Sequence, residues 1–145
     1  MVKYFIDSNV FFYAKIMDRK YGKKSASVVH ALAGAKIEGV ISSLILLELA
    51  NALRKYGMAD ELESVLTSLP ALRLDIQSVD SLDVKKAVEL FNSYRISPYD
   101  CAHVAVMLRE GIRNIISADD DFDRVKEVVR IDPLYEPDEL WGFSD

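Results

Sequence analysis

The chain has 145 residues, half of them hydrophobic, with 18 basic against 23 acidic side chains and a formal net charge of −5. That is apolar material for one packed domain over 1–145, and it excludes a disordered chain. The absence of any run of about 18 uncharged apolar residues excludes a transmembrane helix. The acidic balance excludes broad electrostatic adhesion to nucleic acid, though a local basic patch remains compatible with it. Cys101 is the single cysteine, so there is no internal disulfide and the chain suits a reducing cytoplasm. A charge interrupts the N-terminal apolar stretch too soon for a signal peptide.

In chain order, strand and helix patterns alternate. Residues 2–6, Val-Lys-Tyr-Phe-Ile, read as a short strand ending at Asp7-Ser8-Asn9. A helix is expected from Val10 to Met17, then a charged connection over 18–24 and a helix from Ser25 to Lys36. Gly39 to Ser42 reads as a strand, with Ser42 or Ser43 capping a helix from Leu44 to Tyr56 that stops at Gly57. A helix fits Asp60 to Leu69, ended by Pro70, and Leu72 to Ile76 alternates like a strand. Val84, Ala87, Val88 and Phe91 follow helical spacing within 80–94. Ser97-Pro98-Tyr99-Asp100 opens a helix that ends at Gly111. A strand over 113–117 runs into Asp119, Asp120, Asp121 and Asp123, with a short helix from Asp120 to Val125, and Val128 to Ile131 forms the last strand. The tail is aromatic and acidic, with Tyr135, Trp141 and Phe143.

Strands separated by helices indicate an α/β fold with three α/β/α layers around a mostly parallel sheet of about five strands. Ligands of such sheets sit beyond the carboxyl ends of the strands, at the topological switch point. Asp7 follows the first strand and Asp119 the fourth. Glu48 lies a turn into the helix after the second strand, and Asp100 opens the helix before the fourth. All four can reach one sheet edge, where clustered carboxylates need protons, bases or a hard cation such as Mg²⁺ or Mn²⁺. Each acid also has a structural reading. Asp7-Ser8-Asn9 is turn chemistry, Asp100 fits a capping box with Ser97, and Asp119 caps the short helix behind it. Glu48 is the hardest to dismiss, because it and Asn51 are the only polar residues between Leu44 and Leu53.

The stretches Phe5-Ile6-Asp7-Ser8-Asn9-Val10, Ile41-Ser42-Ser43-Leu44 with Glu48 to Leu53, Tyr99 to Ala105, and Ile116 to Asp123 together resemble a PIN domain, most closely the small toxins of the VapC type. The resemblance covers nearly the whole chain. It implies a PIN-like, Rossmann-like fold and a Mg²⁺- or Mn²⁺-dependent ribonuclease with Asp7, Glu48, Asp100 and Asp119 as catalytic metal ligands. Asp121 matches a fifth acid that some members use, and Asn9 and Ser117 stand as supporting polar groups. Serine at 117 and cysteine at 101 are mild departures from the threonine and alanine common there. The resemblance further implies an RNA substrate, a small antitoxin partner and a homodimer. Lys15, Arg19, Lys20, Lys23 and Lys24 are the first candidates for phosphate contacts, with Arg95 behind them. His103 reads as a core or interface residue.

Three alternatives stand beside this reading. One is a PIN fold that has lost catalysis and only binds a partner, against which all four acids argue. Another is a stand-alone RNA-processing nuclease. The last, a phosphoacceptor receiver domain, shares the alternating pattern, but Asp75 lies inside its strand and no lysine follows Ile131.

Overall fold

The computed structural model describes residues 2–135; Trp141 and Phe143 lie outside the described residues. Five strands, β1 (Lys3–Ile6), β2 (Glu38–Ser42), β3 (Asp75–Gln77), β4 (Asn114–Ile116) and β5 (Val129–Ile131), form one sheet in the order β3-β2-β1-β4-β5. Every pairing is parallel, with Phe5 opposite Val40 on one side and Ile115 on the other. The chain builds outward from β1 to β3, then returns to place β4 on the other flank of β1. The switch point therefore lies between β1 and β4. A receiver domain carries a 2-1-3-4-5 order, so this topology removes that alternative.

Among the described residues six α-helices cover the sheet: α1 (Ser8–Ile16), α2 (Gly22–Ala33), α3 (Ser43–Lys55), α4 (Leu62–Ser68), α5 (Ser81–Tyr94) and α6 (Pro98–Arg109). Right-handed crossovers place α1 to α4 on one face and α5 and α6 on the other. Accordingly α1 packs on α2 and α3, while α5 packs on α6. Phe5, Ile6, Ile41, Ile45, Leu49, Leu53, Met107, Ile115, Ile116 and Phe122 fill the interior. Burial of the central strands on both faces explains why they read as continuous apolar runs rather than alternating ones. Asp83 and Arg109 lock α5 to α6 through paired hydrogen bonds of 3.1 Å, and the same guanidinium reaches the Ser78 carbonyl.

Several boundaries differ from the sequence expectation, each for a local reason. The first helix begins at Ser8 rather than Val10, because the Asp7 carboxylate accepts the Ser8 N–H and caps it. The second begins at Gly22 rather than Ser25, since left-handed Met17 turns the chain sharply and shortens the connection. The 60–69 segment is one short helix flanked by 3₁₀ turns at Ala59–Glu61 and Leu69–Leu72. The second turn absorbs Leu72, Arg73 follows in the left-handed region, and the edge strand therefore starts only at Asp75.

Candidate active site

The end of β1 delivers Asp7 to the switch point in an almost fully buried position, 4% exposed. One carboxylate oxygen accepts the Ser8 N–H at 2.8 Å; the other accepts the Ser117 hydroxyl at 2.6 Å and the Asn9 amide at 3.2 Å. Asn9 also donates to Ser117 Oγ and accepts the Ala118 N–H, both at 3.2 Å. Ser117 Oγ in turn accepts the Asp119 N–H at 3.0 Å. The start of α1 and the loop after β4 are thus stitched into one rigid rim. Burial pushes the Asp7 carboxyl above its ordinary range, and Glu48 adds to that, although His103 and the Ser117 hydrogen bond oppose it.

Asp100 enters from the first turn of α6. Ser97 caps that helix by accepting the Tyr99 N–H. Asp7, Asp100 and His103 have ligand atoms within 4.8 Å of one another, and so do Asp100, Asp119 and Asp121. Asp100 is common to both groups. Its carboxyl is pushed up to about 7, first by burial, then by the charge of Asp7, with Asp119 and Glu48 adding and His103 opposing. Asp119 plays two parts, since it caps the 3₁₀ turn over Asp120–Arg124 by accepting the Asp121 N–H at 3.0 Å. Asp123 stays outside, paired with Arg130 at 2.9 Å.

A hard oxygen donor set whose negative charge is this poorly compensated fits a divalent cation. Asp7, Asp100, Asp119 and Asp121 would hold it. Glu48 is not in either ligand group. Its carboxylate meets His103 Nε2 at 2.5 Å, and His103 Nδ1 meets Ser42 Oγ at 3.1 Å. His103 is fully buried, as expected of a core residue, yet it also joins β2, α3 and α6 beneath the acids. Burial opposes charge on its ring, but the Glu48 hydrogen bond and the charges of Glu48, Asp7 and Asp100 outweigh it and raise the pKa.

With both ring nitrogens engaged, His103 orients Glu48 and is not a proton carrier at a phosphate. Replacing His103 by leucine is expected to destabilise the metal-free protein by about 1–3 kcal/mol and to weaken Mn²⁺ binding by about 10–100-fold, because the ring stands against Asp7 and Asp100 and helps to place them. Melting curves across a Mn²⁺ series measure both effects. An unchanged Mn²⁺ midpoint would show that the acids beside His103 need no such support.

The basic candidates divide by their surroundings. Lys15 is held by Glu61 at 3.0 Å. Lys20 places its ammonium 5.3 Å from the centre of the Tyr21 ring. Arg19 and Lys23 are exposed, and Lys24 is half-buried. Arg95 lies over the Phe91 ring just before α6. Sequence reasoning missed Arg130, which donates to the Ser117 carbonyl at 3.1 Å while pairing with Asp123 and Asp132. It braces the loop that carries Ser117 and Asp119. Its only sequence signal is a basic residue in a strand otherwise apolar. Cys101 is buried, with its thiol pushed up by burial and by Asp100, which makes it a core residue and not a nucleophile.

No curated protein matches the chain. Among solved structures it is similar to a toxin–antitoxin complex from Klebsiella pneumoniae, at 16% identity and TM-score 0.63, over 90% of this chain and 97% of that one. It is similar to VapBC2 from Rickettsia felis bound to a promoter DNA fragment, at 19% identity and TM-score 0.69, over 90% and 98%. It is also similar to VapC20 of Mycobacterium tuberculosis, a sarcin–ricin loop cleaving toxin, at 17% identity and TM-score 0.71, over 84% and 94%. The PIN domain model matches residues 4–128, which run from β1 through β4 to just short of β5 and include every acid of the cluster, and the chain belongs to the PIN domain family.

Proposed function

We propose that this chain is a divalent-metal-dependent endoribonuclease, the toxin of a toxin–antitoxin pair. The observation that carries the reading is the gathering of acids around Asp100, whose carboxylate lies in one ligand group with Asp7 and His103 and in another with Asp119 and Asp121. The similarity to VapC structures, one of them a sarcin–ricin loop cleaving toxin, supports it. Bound Mg²⁺ or Mn²⁺ would activate water and neutralise charge on the leaving oxygen. The chain's own residues supply the rest. Asp7 is fixed by Ser117, Asn9 and the Ser8 N–H. Asp119 is fixed through Ser117 and the cap of the 3₁₀ turn. Glu48 is aimed from α3 by His103.

A binding-only PIN fold would have no use for acids held at this electrostatic cost. A stand-alone processing nuclease differs from a toxin only in its partner. The partner we propose is a small antitoxin seated on the acidic groove, which is bordered beside Glu48 by Leu44, Leu47, Asn51 and Tyr99. The homodimer would use the apolar groove of about 570 Å³ between α5 and α6, where Val84 and Val88 are 52% and 55% exposed. Among the described residues no helix is long and apolar enough to cross a membrane; with the buried free thiol, this suits the cytoplasm we propose.

The test incubates monodisperse protein, free of any co-purifying peptide, with single-stranded RNA. Cleavage is expected with Mn²⁺ and none with EDTA. Cleavage indifferent to EDTA, or none with Mn²⁺, would overturn the reading.

A further inference from the structure

We propose that the stacked rings of Tyr13 and Tyr21 form a nucleobase platform at the rim of the acid cluster, gripping an unpaired base beside the phosphate addressed by the carboxylates. The proposal rests on the nuclease reading and adds what the protein would hold besides a phosphate. The two ring centroids stand 5.1 Å apart with planes 12° from parallel. Both residues are half-buried, so part of each remains open to solvent.

Position on α1 ties the pair to the site. Tyr13 lies four residues, about one helical turn, beyond Asn9 and so shares its face. That face is the one bonded to Ser117 and Ala118, immediately before Asp119. Consistently, the Tyr13 phenol is raised by burial, then by Asp18 and Tyr21, with smaller contributions from Asp119 and Asp7.

The turn into α2 is built to present Tyr21. Met17 is left-handed, with φ 49. The Asp18 carboxylate accepts the Lys20 and Tyr21 N–H groups at 3.1 and 2.9 Å, and its own N–H donates to the Tyr13 carbonyl at 3.0 Å. Gly22 presses on Met17 so closely that a Cβ there would stand 2.7 Å from the Met17 carbonyl carbon. α2 therefore starts directly against the end of α1, and its leading ring is laid on Tyr13.

The chemistry favours a base as occupant. An acidic site on a chain of net charge −5 repels a polyanion. An attraction that does not depend on charge offsets this, and ring stacking is one that every base can satisfy. The Lys20 ammonium stands 5.3 Å from the Tyr21 ring centre, on an exposed side chain that would swing off the ring to the backbone phosphate as a base takes its place. A base can lie on a protein ring only when it is free of its own helix, so the substrate is a single strand or an exposed loop.

The test measures binding of a short fluorescein-labelled single-stranded RNA by anisotropy, in the uncleaving Asp7→Asn background. Tyr13→Leu and Tyr21→Leu should each weaken binding about tenfold with the salt slope unchanged. Tyr13→Phe and Tyr21→Phe, which keep the rings and guard against loss of folding, should retain the parent affinity. Lys20→Ala with Lys23→Ala should instead flatten the slope, by about 0.7 for each phosphate no longer neutralised. An RNA carrying 2-aminopurine should be quenched on binding the parent and less so on the leucine variants. Leucine variants that keep the parent affinity, phenylalanine variants as weak as leucine ones, a duplex bound as tightly as a single strand, or no RNA binding at all would each overturn the platform. Tyrosine-dependent binding by a wild-type protein that never hydrolyses RNA would leave the platform standing and remove the nuclease. Hydrolysis with tyrosine-independent binding would do the reverse.

Discussion

Asp7→Asn protein, purified free of host nuclease, is expected to hydrolyse RNA on the order of a thousandfold more slowly than wild type, beyond the 10–100-fold typical of an outer-shell partner. Asp7 is the most buried acid of the cluster. It ends the central strand, begins α1 and faces the loop after β4. Asparagine preserves the shape and still offers an oxygen to the Ser8 N–H, which caps the helix. What it loses is the anionic oxygen that now accepts both Ser117 Oγ and the Asn9 amide. The variant should therefore fold, melt cooperatively and fail in chemistry. That combination is the diagnostic one, because an unfolded variant would also be inactive. Rates with saturating Mn²⁺, beside a melting curve for the same preparation, check it. A folded Asp7→Asn protein that cleaves at more than about a tenth of the wild-type rate would place the chemistry elsewhere.

The fold was legible because its signals are periodic and redundant. Buried parallel strands read as apolar runs, and Pro98 behind Ser97 at the start of α6 and Gly57 and Gly111 after helices mark ends that chemistry fixes locally. The acids were legible for another reason: a charge at the end of a strand such as β1 is conspicuous. What stayed hidden depends on partners far apart in sequence. His103 looked like one more core residue of α6, because nothing local shows that its ring meets Glu48 and Ser42 from two other elements. Arg130 was hidden in the same way, its use lying in the Ser117 carbonyl of the loop after the neighbouring strand. The late start of β3 was missed because the alternation of Leu72 to Ile76 outweighed the turn that Pro70 begins. For Asp119 the two readings were not rivals. Its carboxylate caps the 3₁₀ turn with one oxygen and belongs to the cluster as well, so a capping signature does not argue against a metal ligand.

Metal-free protein should be most stable in mild acid and lose stability toward neutrality, and Asp100→Asn should remove part of that loss. The sign follows from the folded-state shifts. The Asp100 carboxyl is raised from 3.8 to about 7, and Asp7 is raised too, so the folded state binds more protons than the unfolded state above the ordinary carboxylate range. Their contribution is fully present below the unfolded pKa and disappears as pH rises through the folded one. His103, raised from 6.5, acts in the same direction at the upper end of the window. Asp83 and Asp123 set the opposite limb. Burial at the first is outweighed by Arg109 together with the Asp80 hydrogen bonds, and Arg130 holds down the second, so both lose their stabilisation as pH falls through their lowered values. Discounted for the partial exposure of Asp100, neutralising it should add about 1–2 kcal/mol at pH 7, or roughly 3–6 °C in a domain of this size. Mn²⁺ should reverse the trend in wild type, because it competes with protons for the same oxygens and stabilises only the folded chain. The Asp100→Asn protein, lacking the carboxylate common to both ligand groups, should show a much smaller Mn²⁺ response. The measurement is a grid of melting curves from pH 5 to pH 8, with and without Mn²⁺, for both proteins. A variant less stable than wild type at pH 7 and with a full Mn²⁺ response would reduce Asp100 to a first-turn acid of α6 and take it out of the site.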